Sequence, residues 1–178
     1  MFNKEADFEK ALIALLATKS WEKEVLLYPT EEELIANWQE HLDKTNQHID
    51  KLDVPLLRTE MNQILEQVQA LKTPYALNGF IDGKTVAIKR ENEKSRHFGK
   101  EVSLDIFDRE EISAGKSRYQ IAQQPRFSPR SDLYPKQRGD LMLLINGMPM
   151  FHIELKRSSV PISQATYQIE RYHKAGAF

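Results

Sequence analysis

Gly139-Asp140-Leu141-Met142-Leu143-Leu144-Ile145-Asn146-Gly147-Met148-Pro149-Met150-Phe151-His152-Ile153-Glu154-Leu155-Lys156 is the stretch on which the fold turns. Two apolar runs flank Asn146-Gly147, a pair favoured in tight hairpin turns because both residues tolerate positive φ. Residues 141–145 and 149–155 therefore read as two antiparallel strands. Their middles are apolar on both pleat faces, the pattern of a central pair covered on both sides. Charge appears only where the apolar stretch ends: Asp140 precedes the first strand, and Glu154 and Lys156 close the second. A hairpin makes those two ends neighbours.

Register decides whether the charges can cooperate, because side chains alternate faces and a one-residue slip reverses them. A two-residue loop at Asn146-Gly147 between regular strands pairs Asp140 with Ile153 and sends Asp140 to the face opposite Glu154 and Lys156. A three-residue loop at 145–147, with Gly147 left-handed in a bulge, pairs Asp140 with His152. Asp140, His152, Glu154 and Lys156 then share a face. The three-residue loop, or an equivalent bulge, is the expectation.

Two carboxylates and a lysine on one strand edge suit phosphodiester hydrolysis. Carboxylate oxygens are ligands for a hard divalent ion such as Mg²⁺. Such an ion neutralises charge on the scissile phosphate and lowers the pKa of bound water, while Lys156 would orient that water or stabilise the pentacovalent charge. A strand end with solvated charges is the other reading of the same pattern. His152 is read as hydrogen-bonded structure rather than as a catalyst.

Outward from the hairpin, residues 125–138 hold three prolines and few apolar positions, which predicts an exposed loop. Its Arg126, Arg130, Lys136 and Arg138, with Arg157 after the hairpin, are candidate phosphate contacts. Beyond the hairpin a helix is expected from about 161 to 174. It sets Gln164, Gln168 and Tyr172 at i, i+4 and i+8 on a polar stripe beside Ile162, Ala165 and Ile169. Upstream, strands are expected near 85–89, 102–107 and 118–123. Residues 30–72 show helical spacing broken near Pro55, read as a helical insertion or subdomain. A first helix over residues 4–18 carries Phe8, Leu12, Leu15 and Leu16 on one face.

The composition, 40% hydrophobic over 178 residues, permits one domain with a real core. Twenty-five Lys+Arg nearly cancel 26 Asp+Glu, so any nucleic-acid site has to be a local patch. No cysteine is present, which excludes disulfides, thiolate nucleophiles and cysteine-based zinc sites. Lys4, Glu5, Asp7, Glu9 and Lys10 interrupt the N-terminus, so it lacks the apolar core of a signal peptide. No run approaches a membrane span; a cytoplasmic protein with no membrane partner is expected.

Gly139-Asp140, Ile145-Asn146-Gly147-Met148-Pro149 and Ile153-Glu154-Leu155-Lys156 together resemble the N-terminal nuclease region of type I restriction R subunits, a PD-(D/E)xK pattern. The opening Glu5-Ala6-Asp7-Phe8-Glu9 is similar to the start of that subunit, and Gln168-Ile169-Glu170-Arg171-Tyr172 to the QxxxY element that follows its core. The resemblance implies a mixed α/β restriction-endonuclease-like core: a central mixed sheet flanked by helices, in a single domain over residues 1–178. It implies metal-binding carboxylates at Asp140 and Glu154, a catalytic lysine at Lys156, and supporting or DNA-contacting roles for Gln168 and Tyr172. Glu9 is similar in position to a first-helix acidic residue that completes such sites, with Glu5 and Asp7 as neighbouring alternatives. Mg²⁺, with Mn²⁺ substituting, is the implied cofactor. Double-stranded DNA and methylation and specificity subunits are the implied partners. Since R subunits carry a helicase-like motor after this region, the chain is expected to be a fragment, and ATP is expected only for that motor. Gly139 stands where the motif's name has proline.

Another PD-(D/E)xK enzyme, such as a recombination exonuclease or junction resolvase, would share the same three residues, and a non-catalytic DNA-binding or assembly module would leave them without metal. Ala114-Gly115-Lys116-Ser117 resembles the end of a P-loop, but Glu110 stands where that motif needs its first glycine. Arg138-Gly139-Asp140 spells an integrin-recognition tripeptide in a chain without a secretion signal, which is attributed to chance.

Overall fold

The computed structural model describes residues 4–71, 73, 79–80, 83–128, 137–157 and 160–174. In chain order its elements are α1 (Glu5–Ala17), β1 (Val25–Leu27), α2 (Glu31–His48), α3 (Arg58–Gln69), β2 (Thr85–Lys89), β3 (Glu101–Asp105), α4 (Arg109–Ser113), β4 (Tyr119–Gln123), β5 (Arg126–Phe127), β6 (Gln137–Arg138), β7 (Leu141–Ile145), β8 (Met148–Ile153) and α5 (Ser163–Lys174). They fall into two compact units, Met1–Ala36 with Arg118–Phe178, and Asn37–Ser117. No described helix is long and apolar enough to cross a membrane.

The first unit is built on a mixed four-stranded sheet of order β1-β4-β7-β8, with β1 parallel to β4 and the other pairs antiparallel. Alternation along β4 and β7 divides their apolar side chains between two faces. Ile121, Leu141 and Leu143, joined by Leu155, meet the stripe Phe8, Leu12, Ile13 and Leu16 of α1. Ala122, Met142 and Leu144 face the other way, with Leu34 of α2 and Phe127. Helices thus cover both faces of β7, whose first four residues are buried. A capping box starts α2: the Glu33 N–H donates to Thr30 Oγ1 (3.2 Å) and the Thr30 N–H to Glu33 Oε2 (2.7 Å). The mixed α/β fold with a flanked central sheet is the one expected.

Three expectations change. β8 is an edge strand among the described residues rather than half of a central pair, and its Phe151 is 54% exposed. Residues 125–138 are not simply an exposed loop: β5 and β6 pair as a short ribbon, and the Phe127 side chain is buried in the sheet core. The strand β1 was not expected at all; Val25-Leu26-Leu27 is too short to show alternation.

In the second unit β2 and β3 pair antiparallel, and α3 covers the free edge of β2. Gln67 Nε2 donates to Ala87 O (2.7 Å), and the Lys89 N–H donates to Gln63 Oε1 (2.8 Å). Glu60 and Arg90, both 0% exposed, form an ion pair at 2.7 Å. Glu60 also accepts the backbone N–H groups of Leu57, Glu91 and Asn92, so the buried carboxylate is fully engaged.

Candidate active site

The hairpin turn has two residues. Ile145 pairs with Met148 across Asn146 and Gly147, both at positive φ (49° and 79°) as a type I′ turn requires. The shift in register lies inside β8 instead: Leu144 pairs with Pro149 but Leu143 with Phe151, leaving Met150 as the extra residue of a bulge. The ladder then runs Met142 to His152 and Leu141 to Ile153, and one further step sets Asp140 opposite Glu154. Asp140, His152, Glu154 and Lys156 are brought to one face by this bulge, not by a three-residue loop.

Backbone bonds fix the edge that carries Asp140. Its carbonyl accepts the Gln124 N–H (2.7 Å), which prolongs the β4–β7 ladder past Gln123, and the Gly139 N–H donates to Pro125 O (3.0 Å). Its carboxylate Oδ2 accepts the Leu155 N–H (2.7 Å), a direct tie between the two strand ends. Burial, helped by the negative charge of Glu154, outweighs the Leu155 N–H and the Lys156 charge and holds the Asp140 carboxyl up at about 6.

Glu154 is the more enclosed carboxylate, with a 0% exposed side chain. His152 Nε2 lies 2.9 Å from its Oε1 and Lys156 Nζ 3.7 Å from its Oε2. Among the described residues neither oxygen receives an aligned hydrogen bond. Gly139 belongs to the same corner: a Cβ there would stand 2.7 Å from His152 Nε2, so the absence of a side chain at 139 leaves room for the imidazole beside Glu154. Sequence reasoning left His152 outside the site, and its alternation with Glu154 was the available signal.

The other expected residues divide. Glu9 is buried on α1 and takes hydrogen bonds from Gln123 Nε2 and, at 3.3 Å, Gln124 Nε2. Among the described residues no group of three His, Asp or Glu side chains converges as a ready metal cage, so Glu9 does not join Asp140 and Glu154 at ligand spacing. Arg126 and Arg138 are exposed and directly opposite each other in the β5–β6 ribbon. Arg126 is braced by its Nε, which donates to Tyr28 O (2.8 Å). Like charges paired across strands repel, so this ribbon presents two guanidinium groups just before Gly139-Asp140. The Arg157 N–H reaches Glu5 Oε1 at 3.4 Å. Gln168 and Arg157 line a cleft of about 550 Å³ together with Lys156. Arg130, Lys136 and the side chain of Tyr172 lie outside the described residues.

A family model described as the type I restriction enzyme R protein N terminus matches residues 3–178. The type I restriction enzyme SauMSSORF170P endonuclease subunit of Staphylococcus aureus (strain MSSA476) is 30% identical over 143 residues, covering 80% of this chain and 14% of its own length. The type I restriction enzyme SsaAORF53P endonuclease subunit of Staphylococcus saprophyticus is 29% identical over 175 residues, covering 98% of this chain and 17% of its own length. The chain thus spans about a sixth or less of the curated relatives it matches. With a match over nearly every residue, the chain belongs to the family of type I restriction enzyme R protein N termini.

Proposed function

We propose that this chain is the DNA-cleaving domain of a type I restriction enzyme, hydrolysing phosphodiester bonds of double-stranded DNA with Mg²⁺ and accepting Mn²⁺ in its place. The observation that carries the reading is the bulge at Met150, which sets Asp140 opposite Glu154 with Lys156 on the same face. A bulge that re-aims one strand end is a typical device beside a reaction site.

The donors fit a dication. Two carboxylates press on each other, Asp140 is held near 6, and among the described residues neither buried oxygen of Glu154 accepts an aligned hydrogen bond. Asp140 and Glu154 would hold the ion, the remaining positions being left to water and phosphate, as Mg²⁺ prefers. Bound there, it would supply positive charge against the phosphate and a more acidic water. A water oxygen bonds to phosphorus as one P–O ester bond breaks, and the leaving oxygen takes up a proton. Lys156, 3.7 Å from Glu154, supplies positive charge to the attacked phosphate and orients the water. Arg126, Arg138 and Arg157 would steady phosphates on either side, Gln168 would support the site beside Lys156, and Tyr172 would support it or contact DNA.

The same reading assigns the chain to a larger complex with methylation and specificity subunits, and ATP to a motor outside this chain. The test is Mg²⁺-dependent cutting of DNA by the complete restriction complex carrying Asp140→Ala or Lys156→Ala. Each variant is expected to lose cutting by a hundredfold or more. Normal cutting by both would remove the nuclease assignment from this site.

A further inference from the structure

Beside Lys156 the first unit opens into two adjoining recesses. The larger, about 550 Å³, lies between the start of α1 and the first turns of α5 and is lined by Lys4, Glu5, Arg157, Gln164 and Gln168 besides Lys156. The smaller, about 330 Å³, shares Lys156, Gln164 and Gln168 with it and adds Tyr167 and Arg171. Among the described lining residues four cations, Lys4, Lys156, Arg157 and Arg171, and one carboxylate, Glu5, stand along these adjoining recesses, with Glu154 3.7 Å from Lys156, in a chain whose formal net charge is -1. Such a contrast in a near-neutral protein marks a local anion site.

Tyr167 adds a second feature. It is 68% exposed, and the spacing 164, 167, 168 and 171 puts it on the same α5 face as Gln164, Gln168 and Arg171. Among the described residues this large ring stands mostly in water, between an arginine and two glutamines. Cations that follow a phosphate chain, with an aromatic ring that takes a base, are the two parts of a single-strand site. A recess of this volume takes a nucleotide or two of one strand, whereas a duplex would have to lie across its mouth.

We infer that this hollow holds the cut strand, unpaired, next to the scissile phosphate, with backbone phosphates on Lys4, Arg157 and Arg171 and a base stacked on Tyr167. The choice of the cut strand rests on the nuclease reading above; the binding of an unpaired strand does not. The domain would then act on DNA whose strands are locally parted, so that the reacting phosphate reaches Asp140, Glu154 and Lys156 from a flexible strand.

The test is fluorescence anisotropy of the 178-residue chain with a labelled oligothymidylate and with a labelled blunt duplex, in EDTA so that nothing is cut. Tighter binding of the single strand is expected. Tyr167→Ala should weaken single-strand binding about tenfold, with Tyr167→Phe close to wild type. Lys4→Ala and Arg171→Ala should each lower the slope of log K against log salt by about 0.7, while Lys89→Ala in the second unit leaves it unchanged. No single-strand binding, equal losses on duplex and single strand, or a Tyr167→Phe loss as large as that of Tyr167→Ala would overturn the inference. Asp140→Ala separates the two readings. In the complete complex its cutting reports on the nuclease assignment alone, whereas the anisotropy of the Tyr167 variants in EDTA reports on the unpaired strand alone.

Discussion

Replacing Asp140 by Asn tests, without any assay of cleavage, the strain that burial and then the Glu154 charge put on the Asp140 carboxylate. The amide oxygen still accepts the Leu155 N–H seen at 2.7 Å, so the substitution removes charge and little else. The Asp140 carboxyl is raised from 3.8 to about 6. A carboxyl raised in the folded state supports folding while it is protonated. That support is complete below the unfolded value and is lost as pH rises from about 4 through about 6. Two units correspond to roughly 3 kcal/mol at most. Asp140 is only half-buried, and solvent screening reduces this to about 1–1.5 kcal/mol. Asp140→Asn should therefore be more stable than wild type by about 1–1.5 kcal/mol at pH 7.5, a Tm rise of roughly 3–6 °C, and the gain should vanish near pH 4. Urea unfolding with 5 mM EDTA present, read by Trp21 fluorescence in a Trp38→Phe background, reports on the unit that holds the site. Adding Mg²⁺ should then reverse the order, because an ion held by both carboxylates stabilises wild type by about 2.7 kcal/mol at a hundred times its Kd and the variant by far less. An Asn variant less stable than wild type at pH 7.5, or a gain that persists unchanged at pH 4, would refute the claim that Glu154 and burial strain the Asp140 charge.

Deleting Met150 should leave the Asn146-Gly147 turn in place and turn the bulge into a regular ladder, in which every other pair, and with them Asp140 opposite Glu154, keeps its register; DNA cutting by the complete complex should survive with far-ultraviolet circular dichroism close to wild type, and its loss would mean that the bulge does more than set the register. Gly139→Ala drives a Cβ to within 2.7 Å of His152 Nε2 and should cost about 1–3 kcal/mol, a loss expected to shrink by at least half in the Gly139→Ala/His152→Ala double variant when both are measured by urea unfolding. Glu60→Gln leaves the Arg90 guanidinium, 0% exposed, without its counter-ion and should destabilise the second unit by about 3–5 kcal/mol, read from Trp38 in a Trp21→Phe background; a change under 1 kcal/mol would mean that water reaches Arg90.

Much of the site was legible because its signals are local. The charges sit at the ends of apolar runs, Asn146-Gly147 marks the turn, and parity arithmetic shows that one extra residue is needed to bring Asp140 and Glu154 to one face. The helices of residues 30–72 followed equally well from spacing. Less legible were features that depend on partners far along the chain. Glu9 looks like any acid on a solvated helix face; that it is buried under Gln123 and Gln124 is a fact about β4, more than a hundred residues away. The ribbon of Arg126-Phe127 with Gln137-Arg138 is too short for periodicity, and the lone Phe127 in a polar loop was its only trace.

Pro149 shows how a signal can be present and outweighed. An apolar run on both faces argued for a central strand, yet proline has no N–H to give to a ladder and within sheets is confined to edges, strand starts and bulges. β8 meets the first condition and adjoins the other two: it is the edge of the described sheet, Pro149 follows its first residue, and the bulge at Met150 comes directly after. The residue that forbids a central strand thus stands where the register must slip if Asp140 is to meet Glu154. The exposed Phe151 follows from the same cause, since an edge strand past a bulge has no neighbour on that side among the described residues. Hydrophobicity indicated the burial of β7 correctly and that of β8 wrongly. The backbone chemistry of one proline, weighed first, would have separated the two strands and placed the bulge inside β8 rather than at the turn.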